Sequence, residues 1–420
     1  MAQPYRVEAL TLHQIGVFDD VSIDFRPISS ADKAEIHLFT GPNGCGKSTL
    51  LYALAGIFDG FSTDSLIRRR YRGSESCVDF CFARYNGSSR ILPNISYENS
   101  YAGYTRRFSE DNSTYSQTGF SYAAFAYSGQ RTLHDTKLTA IQQITNSPFE
   151  DALSFDGSVR PPLLLQWIAN NRTQSALAKQ DGDEKAAQIY DQALGRITSL
   201  IQDICDLELE FRLERSPLAV TVRVNGDTIH FDTLPDGLKS IISWVTDLSL
   251  RLEAIPWREQ RDVFSQPIIL LLDEVDIHLH PKWQRRILPA IQNLLPNAQV
   301  FVSTHSPFVV GSVEDAWVYR LPEPNQNKNI IEGIPSGAGK SYRLILNEIF
   351  GIDKEFDVET EAMFDEFYRL RALILKDPNT TEALLNVAKK LALRSEESAL
   401  IVSRELRQIS RLTGLELNLA

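Results

Sequence analysis

Apolar positions change period several times along the chain, and each change predicts an element. From Val7 to Phe25 apolar and polar residues alternate, with β-branched and aromatic side chains prominent, which predicts a hairpin or meander. Glu35 to Thr40 is a compact apolar run entering a glycine-rich turn. Ser48 to Phe58 then sets Leu50, Leu51, Leu54 and Ile57 on one helical face. Residues 160 to 205 carry helical periodicity. Leu207 to Leu213 and Val220 to Phe231 are strand-like, the second broken by an Asn225-Gly226 turn signal, and a helix is predicted from about Leu238 to Leu252. Pro267 to Leu272 and Gln299 to Ser303 are apolar without alternation, as strands buried on both faces of a parallel sheet are, and a helix around Trp283 to Leu294 separates them. After Val318 to Leu321 and a loop rich in Pro, Asn and Gly, the remainder reads as helices, with Phe364, Phe367, Leu370 and Ile374 along one face.

These elements predict an α/β fold, with strands and helices alternating around a parallel sheet. Residues 1–322 form the expected head, with insertions near 60–130 and 150–206, and residues 323–420 a helical C-terminal region suited to oligomer or partner contact. Within the first insertion Cys77 to Tyr85 reads as a strand and Asn86-Gly87 as a hairpin turn, followed by a polar, Tyr/Ser-rich stretch to Ser121.

Composition narrows the class. With 420 residues, 43% hydrophobic and 23% charged, the chain can bury a sizeable core. No apolar stretch approaches the ~20 residues of a membrane span, and the N-terminus lacks a secretory pattern. Four cysteines make no disulfide framework, so the expected compartment is the reducing cytoplasm. Cys77 and Cys81 could supply half a metal site, but no second Cys/His pair follows at suitable spacing, and core packing is the preferred reading. A net charge of −11 argues against coating nucleic acid non-specifically. The basic run Ile67 to Arg72, with Arg106 and Arg107, is the one candidate stripe for DNA, although a solvated surface run explains it better.

The chemistry lies in four motifs. Gly41-Pro-Asn43-Gly44-Cys45-Gly46-Lys47-Ser48-Thr49 fits G-x-x-x-x-G-K-[ST] between a predicted strand and a predicted helix. The glycines allow backbone amides to turn toward a β-phosphate, Lys47 reaches the β- and γ-phosphates, Ser48 can ligate Mg²⁺, and the helix N-terminus favours the anion. An apolar strand ends in Asp273-Glu274, where Asp273 can hold the Mg²⁺ shell and Glu274 can act as general base toward water. The run Val300 to Ser306 is a strand ending in His305, whose imidazole can bond to the γ-phosphate or to the attacking water. Leu234-Pro-Asp-Gly237-Leu-Lys239-Ser240 is a glycine turn at a helix start, a simple anion site. Ser336 to Ser341 imitates the end of a phosphate loop, but Ile334 stands where the first glycine is needed, and a loop before a helix at Tyr342 to Phe350 is expected.

Along the chain the order of phosphate loop, Leu234 to Ser240, Asp273-Glu274 and His305 resembles that of the ABC-type P-loop ATPase heads of the RecF, SMC and OLD group, in which the Leu234 to Ser240 position is called the signature and the position of His305 the H-switch. The forms Asp273-Glu-Val-Asp276-Ile-His278-Leu-His280-Pro281 and Leu-Pro-Asp-Gly-Leu-Lys-Ser, with the tail around Tyr342 to Gly351, look like the ATPases of bacterial phage-defence systems: OLD-like, retron-associated and Septu-type. The resemblance implies ATP and Mg²⁺ held between two heads, with Gly237, Lys239 and Ser240 of one subunit facing the phosphate loop of the other, and a homo-oligomer of at least a dimer. It places His278 and His280 at the dimer face. The signature lacks its usual serine and carries Asp236, and Gln130 is the candidate for the Q-loop glutamine.

About 225 residues separate Lys47 from Asp273, too few for long coiled-coil arms, and sustained heptads are absent. The region after Ser306 lacks the acidic strand-end motifs of a Toprim nuclease. The first functional reading is therefore an ATP hydrolase that controls a separate effector, such as a nuclease, in antiphage defence. The alternatives are a RecF-like ATPase clamping DNA and an ATP-dependent assembly scaffold with slow or no hydrolysis.

Overall fold

The computed structural model describes residues 5–30, 32–58, 67, 69–82, 85–90, 119–129, 138, 140–323, 329–374 and 380–417. The chain divides into two compact units, residues 1–345 and 346–420.

The strands of the first unit are β1 (Val7–Ile15), β2 (Phe18–Asp24), β3 (Glu35–Thr40), β4 (Cys77–Phe82), β5 (Tyr85–Arg90), β6 (Ala123–Tyr127), β7 (Leu209–Arg215), β8 (Leu218–Val224), β9 (Asp227–His230), β10 (Ile268–Leu272), β11 (Ala298–Ser303), β12 (Trp317–Arg320) and β13 (Gly333–Pro335). They form an antiparallel sheet β2-β1-β4-β5, a small antiparallel sheet β7-β8-β9, and a six-stranded sheet β13-β12-β3-β11-β10-β6. In the last, β12, β3, β11, β10 and β6 are parallel, and β13 closes one edge antiparallel. The helices of this unit are α1 (Lys47–Gly56), α2 (Pro161–Gln180), α3 (Glu184–Cys205), α4 (Asp236–Ala254), α5 (Pro281–Leu294), the short α6 (Pro307–Val310) and α7 (Tyr342–Ile345). The expected α/β architecture around a parallel sheet is the observed one, with an antiparallel β sheet packed beside it.

Alternate residues of the parallel strands serve two layers. Phe39, Ile269, Leu271 and Phe301 join Leu50, Leu51 and Leu54 of α1 and Leu10, Leu12, Val78 and Phe80 of the antiparallel sheet in one core. The opposite parity, including Leu38, Leu270, Leu272 and Val302, is equally buried, as a sheet covered on both faces requires. A polar clamp fixes the sheets to each other. Gln299 accepts from the Val7 amide at 2.7 Å and donates to the Val7 carbonyl at 2.9 Å, acting as a strand partner, while Arg6 donates to Glu35 at 2.6 Å. Each of these polar groups is buried and partnered, so desolvation is compensated.

Two expectations are corrected. Asn86 and Gly87 are not a turn: they pair with Cys81 and Phe80 inside β5, and the chain has already reversed before Tyr85. The stretch 60–130, read as an insertion, contains β4 and β6, which are members of the two larger sheets. Ala123-Ala-Phe-Ala-Tyr127 carries too few β-branched residues to stand out as a strand, and its burial between neighbours supplies what propensity does not.

The second unit is helical: α8 (Val358–Ile374), α9 (Thr381–Ala392) and α10 (Glu396–Thr413). Phe364, Phe367, Leu370 and Ile374 face Leu384, Ala388, Leu391, Val402, Leu406 and Ile409 in a separate core. A capping box at Ser395 and Ser398 starts α10, and Gly414 in the left-handed region ends it.

Candidate nucleotide site

Strand β3 delivers the chain into the phosphate loop, and α1 leaves it at Lys47. The loop needs its glycines: Gly41, Gly44 and Gly46 have φ of 149°, 78° and 100°. A Cβ on Gly46 would also stand 2.4 Å from the Phe18 ring, which fills the space behind the loop. Lys47 folds back so that Nζ donates to the carbonyls of Gly41 and Pro42, both at 3.0 Å. Cys45, Lys47 and Thr49 are buried, Gly41, Gly46 and Ser48 half-buried, and Asn43 and Gly44 exposed. The start of α1 has no side-chain cap and no acidic residue in its first turn, and its first internal bond runs from the Leu50 amide to Gly46. The amides of Lys47, Ser48 and Thr49 therefore precede the helix ladder, and with a cation among them they fit a phosphate.

The sheet brings the other motifs to the same edge. Strand β11 lies between β3 and β10, and all three are parallel, so their C-terminal ends stand side by side. At ~4.8 Å per strand step, the phosphate loop and the acid pair are about 10 Å apart, with His305 emerging between them. Asp273 is buried at the end of β10, and its amide donates to the Tyr127 carbonyl of β6 at 2.9 Å. Ser303 connects the pair: its hydroxyl donates to Asp273 Oδ1 and accepts from the Glu274 amide at 2.7 Å. Glu274 takes a left-handed φ of 51°, unusual for a side chain of its kind, which turns it out of the strand direction.

Charge couples these residues. Burial, then Asp273 and Asp276, push the Glu274 carboxyl above its ordinary value, with Lys47 opposing. Burial and Lys47 hold the His305 imidazole below its ordinary value, with Asp276 and Asp273 opposing. The base and the imidazole thus share one field with the loop lysine and the acid pair. Asp156, Tyr52 and Arg70 belong to it as well: Asp156 acts on Glu274, and the Arg70 guanidinium lies 4.4 Å from the centre of the Tyr52 ring.

Several residues that hold this arrangement carry no motif. Gln284 on α5 donates to the carbonyls of Asp276 (3.2 Å) and Leu279 (3.0 Å) and accepts from Ser306 at 2.7 Å, bracing the loop after the acid pair against the one bearing His305. His280, expected at a dimer face, accepts from the Lys282 amide at 3.2 Å and caps α5, with Pro281 at its first position. His278 is exposed. Gln130, Arg68, Arg106 and Arg107 lie outside the described residues.

Gly237, Lys239 and Ser240 occupy the first turns of α4. The neighbours of Gly237 are the His278 carbonyl, 2.5 Å from a Cβ built there, and Trp283. Gly237 and Ser240 are both buried, leaving Pro235, Asp236 and the half-buried Lys239 as what this segment presents. The charge of Asp236 is offset locally, since Lys239 Nζ lies 3.7 Å from its carboxylate. Farther along α4, Asp247 and Arg251 form an ion pair at 2.5 Å with 1% and 0% of their side chains exposed. Tyr127 donates to Asp247 at 3.0 Å, and Arg251 donates to the carbonyls of Pro148, Glu150 and Ser158.

Comparison with known proteins bears on this geometry. A family model described as "AAA domain, putative AbiEii toxin, Type IV TA system" matches residues 36–311, from β3 through α6. The chain belongs to that family. As a whole this P-loop ATPase is similar to the Septu protein PtuA of Bacillus thuringiensis, at 23% identity over 91% of this chain and 97% of the relative. It is similar also to the retron Vc95 probable ATPase of Vibrio cholerae serotype O1 biovar El Tor, at 24% identity over 79% and 77%. Among solved structures, an Smc head bound to the C-terminal winged-helix domain of ScpA covers 78% of this chain and 96% of its own at 13% identity, with a TM-score of 0.46. The likeness to Septu-type and retron ATPases read from the motifs is thus met along most of the chain. No helix among the described residues is long and apolar enough to cross a membrane.

Proposed function

We propose that this P-loop ATPase binds and hydrolyses ATP between paired heads and regulates a separate effector, a nuclease, in bacterial antiphage defence. The observation that carries the reading is the gathering of the phosphate loop, Asp273, Glu274 and His305 on one sheet edge while Gly237 faces the His278 loop instead. In this reading the start of α4, packed on the His278 loop of its own chain, meets the phosphate loop of a second head through Lys239.

Mg²⁺ bound with ATP would neutralise part of the triphosphate charge. Ser48 and Asp273 are the residues suited to hold it, and the amides of residues 47–49 with Lys47 are suited to the phosphates. Glu274, its proton affinity raised by burial and by its acidic neighbours Asp273, Asp276 and Asp156, takes a proton from water near neutral pH more readily than an ordinary carboxylate. His305, kept neutral, offers an N–H to a phosphate oxygen without competing for that proton. Control of an effector on another chain is supported by the likeness to the Septu protein PtuA and the retron Vc95 probable ATPase.

Complementation between subunits tests the paired-head site. Lys47→Ala and Lys239→Glu should each abolish turnover, and mixing the two inactive proteins should restore part of it, because one mixed interface keeps both residues. A mixture as inactive as its components, with a mass unchanged by ATP, would sink the reading. Copurification with the products of neighbouring genes tests the effector.

A further inference from the structure

One face of the antiparallel sheet collects side chains that the nucleotide site does not use. On β1, His13 stands directly opposite Asp20 of β2 and Cys77 of β4, and Asp79, two residues beyond Cys77, projects from the same side of β4. The other side of these strands is the apolar core that holds Leu12, Val78 and Phe80. His13 Nδ1 lies 2.6 Å from Asp20 Oδ1, and Nε2 lies 3.2 Å from Asp79 Oδ2. One ligand atom each from His13, Cys77 and Asp79 lies within 4.8 Å of the others.

We propose that His13, Cys77 and Asp79 form a zinc site. An imidazole, a thiolate and a carboxylate are the donor types that zinc accepts, and the mixture suits it better than calcium or magnesium. With metal–nitrogen and metal–oxygen bonds of about 2.0 Å, the edge of a tetrahedron between those ligands is about 3.3 Å. The His13–Asp79 separation already matches it, so only the Cys77 sulfur has to close in. Asp20 completes the pattern: a ligating histidine donates its other ring N–H to a carboxylate, which fixes the tautomer and leaves Nε2 as the donor atom. On binding, the Cys77 thiol gives its proton to solvent and the thiolate bonds the metal, with no change of oxidation state. Sequence spacing assigned Cys77 to core packing because no second Cys/His pair lay nearby. Strand pairing supplies the histidine from β1.

The site sits beneath the nucleotide loop. The β1–β2 turn that follows His13 places Phe18 against Gly46 and Gly16 against Thr49. Tying β1 to β4 through a metal would stiffen the hairpin on which the phosphate loop rests.

The test is titration of the full chain, stripped by chelator and free of nucleotide, with Co²⁺ as a spectroscopic substitute. One equivalent should bind with tetrahedral visible bands and a thiolate-to-cobalt charge-transfer band, and Zn²⁺ should displace it. Cys77→Ser should lose the charge-transfer band, while Cys81→Ser, whose parent thiol donates to Glu8 instead, should keep it. Asp20→Asn should weaken binding about 10–100-fold with the same spectrum. His13→Gln and Asp79→Asn alter part-exposed side chains and keep the test open should Cys77→Ser fold poorly; both should lower affinity at least as far. Absence of stoichiometric binding, a band that survives Cys77→Ser, or affinity unmoved by His13→Gln would overturn the proposal and leave His13 as a histidine hydrogen-bonded to two aspartates.

Discussion

Gly129 lies against Glu274 so closely that a Cβ built on it would stand 2.5 Å from the Glu274 carbonyl oxygen and 3.0 Å from its Cβ. The contact follows from strand order: β6 runs beside β10, so the residues leaving β6 pass the acid pair. Gly129→Ala must displace the backbone of Glu274. Turnover should fall about 10–100-fold, as misplacement of a reacting group by a fraction of an ångström does, while nucleotide affinity stays within a few-fold. Steady-state hydrolysis and a fluorescent-nucleotide titration measure the two, and equal losses in both would count against a role confined to Glu274.

Glu274→Gln should separate function from stability. Loss of a general base costs about 10²–10⁴-fold in rate, with ATP still bound. The folded-state pKa of Glu274 is raised, so the ionised carboxylate destabilises the fold; this penalty is complete above the folded pKa and absent below the unfolded one. The Gln variant should therefore melt higher than the parent at neutral pH, and the gain should disappear on acidification. Identical melting temperatures at both pH values would contradict the electrostatic account.

Asp276 raises the Glu274 pKa without being a phosphate or metal residue in the proposed scheme. Removing its charge in Asp276→Asn makes Glu274 easier to ionise, so the acid limb of the kcat profile should move to lower pH. An unmoved limb would assign that titration to another group.

Ser303 serves both carboxylate residues through one hydroxyl. Ser303→Ala leaves the Glu274 amide without its acceptor and should cost about 1–3 kcal/mol of stability, together with a loss of turnover. Chemical denaturation and hydrolysis rates are the checks; a variant with parental values in both would remove Ser303 from the site.

The buried Asp247–Arg251 pair holds the segment that carries Asp156 against α4. Arg251→Met or Asp247→Asn alone should destabilise by about 3–5 kcal/mol, since each strands a buried charge or its partners. The double variant should lose less than the sum of the two. Strict additivity in denaturant melts would show that the pair is not coupled.

Much of the site is legible in the sequence. The phosphate loop, the Asp273-Glu274 pair and His305 are each short runs in which a fixed residue order at a strand end dictates local geometry, and the structure sets them along one edge. Ser303 and Gln284 were not legible, because a serine in a buried strand and a glutamine on a helix carry no pattern that separates them from ordinary residues. Asn86-Gly87 misled for the opposite reason: a strong turn signal was overridden by pairing with β4.

Local order in the chain thus determined most elements, the phosphate-loop chemistry and the apolar face of α8 that carries Phe364, Phe367, Leu370 and Ile374, all of which depend on residues a few positions apart. Tertiary structure alone decided that β11 separates β3 from β10, that β6 belongs to the sheet, that Gly237 packs against His278 and Trp283, and that His13 meets Cys77. Those outcomes come from strand order and burial of both sheet faces. Side chains buried on both faces give no period to read, and partners far apart in sequence leave no mark on each other's spacing.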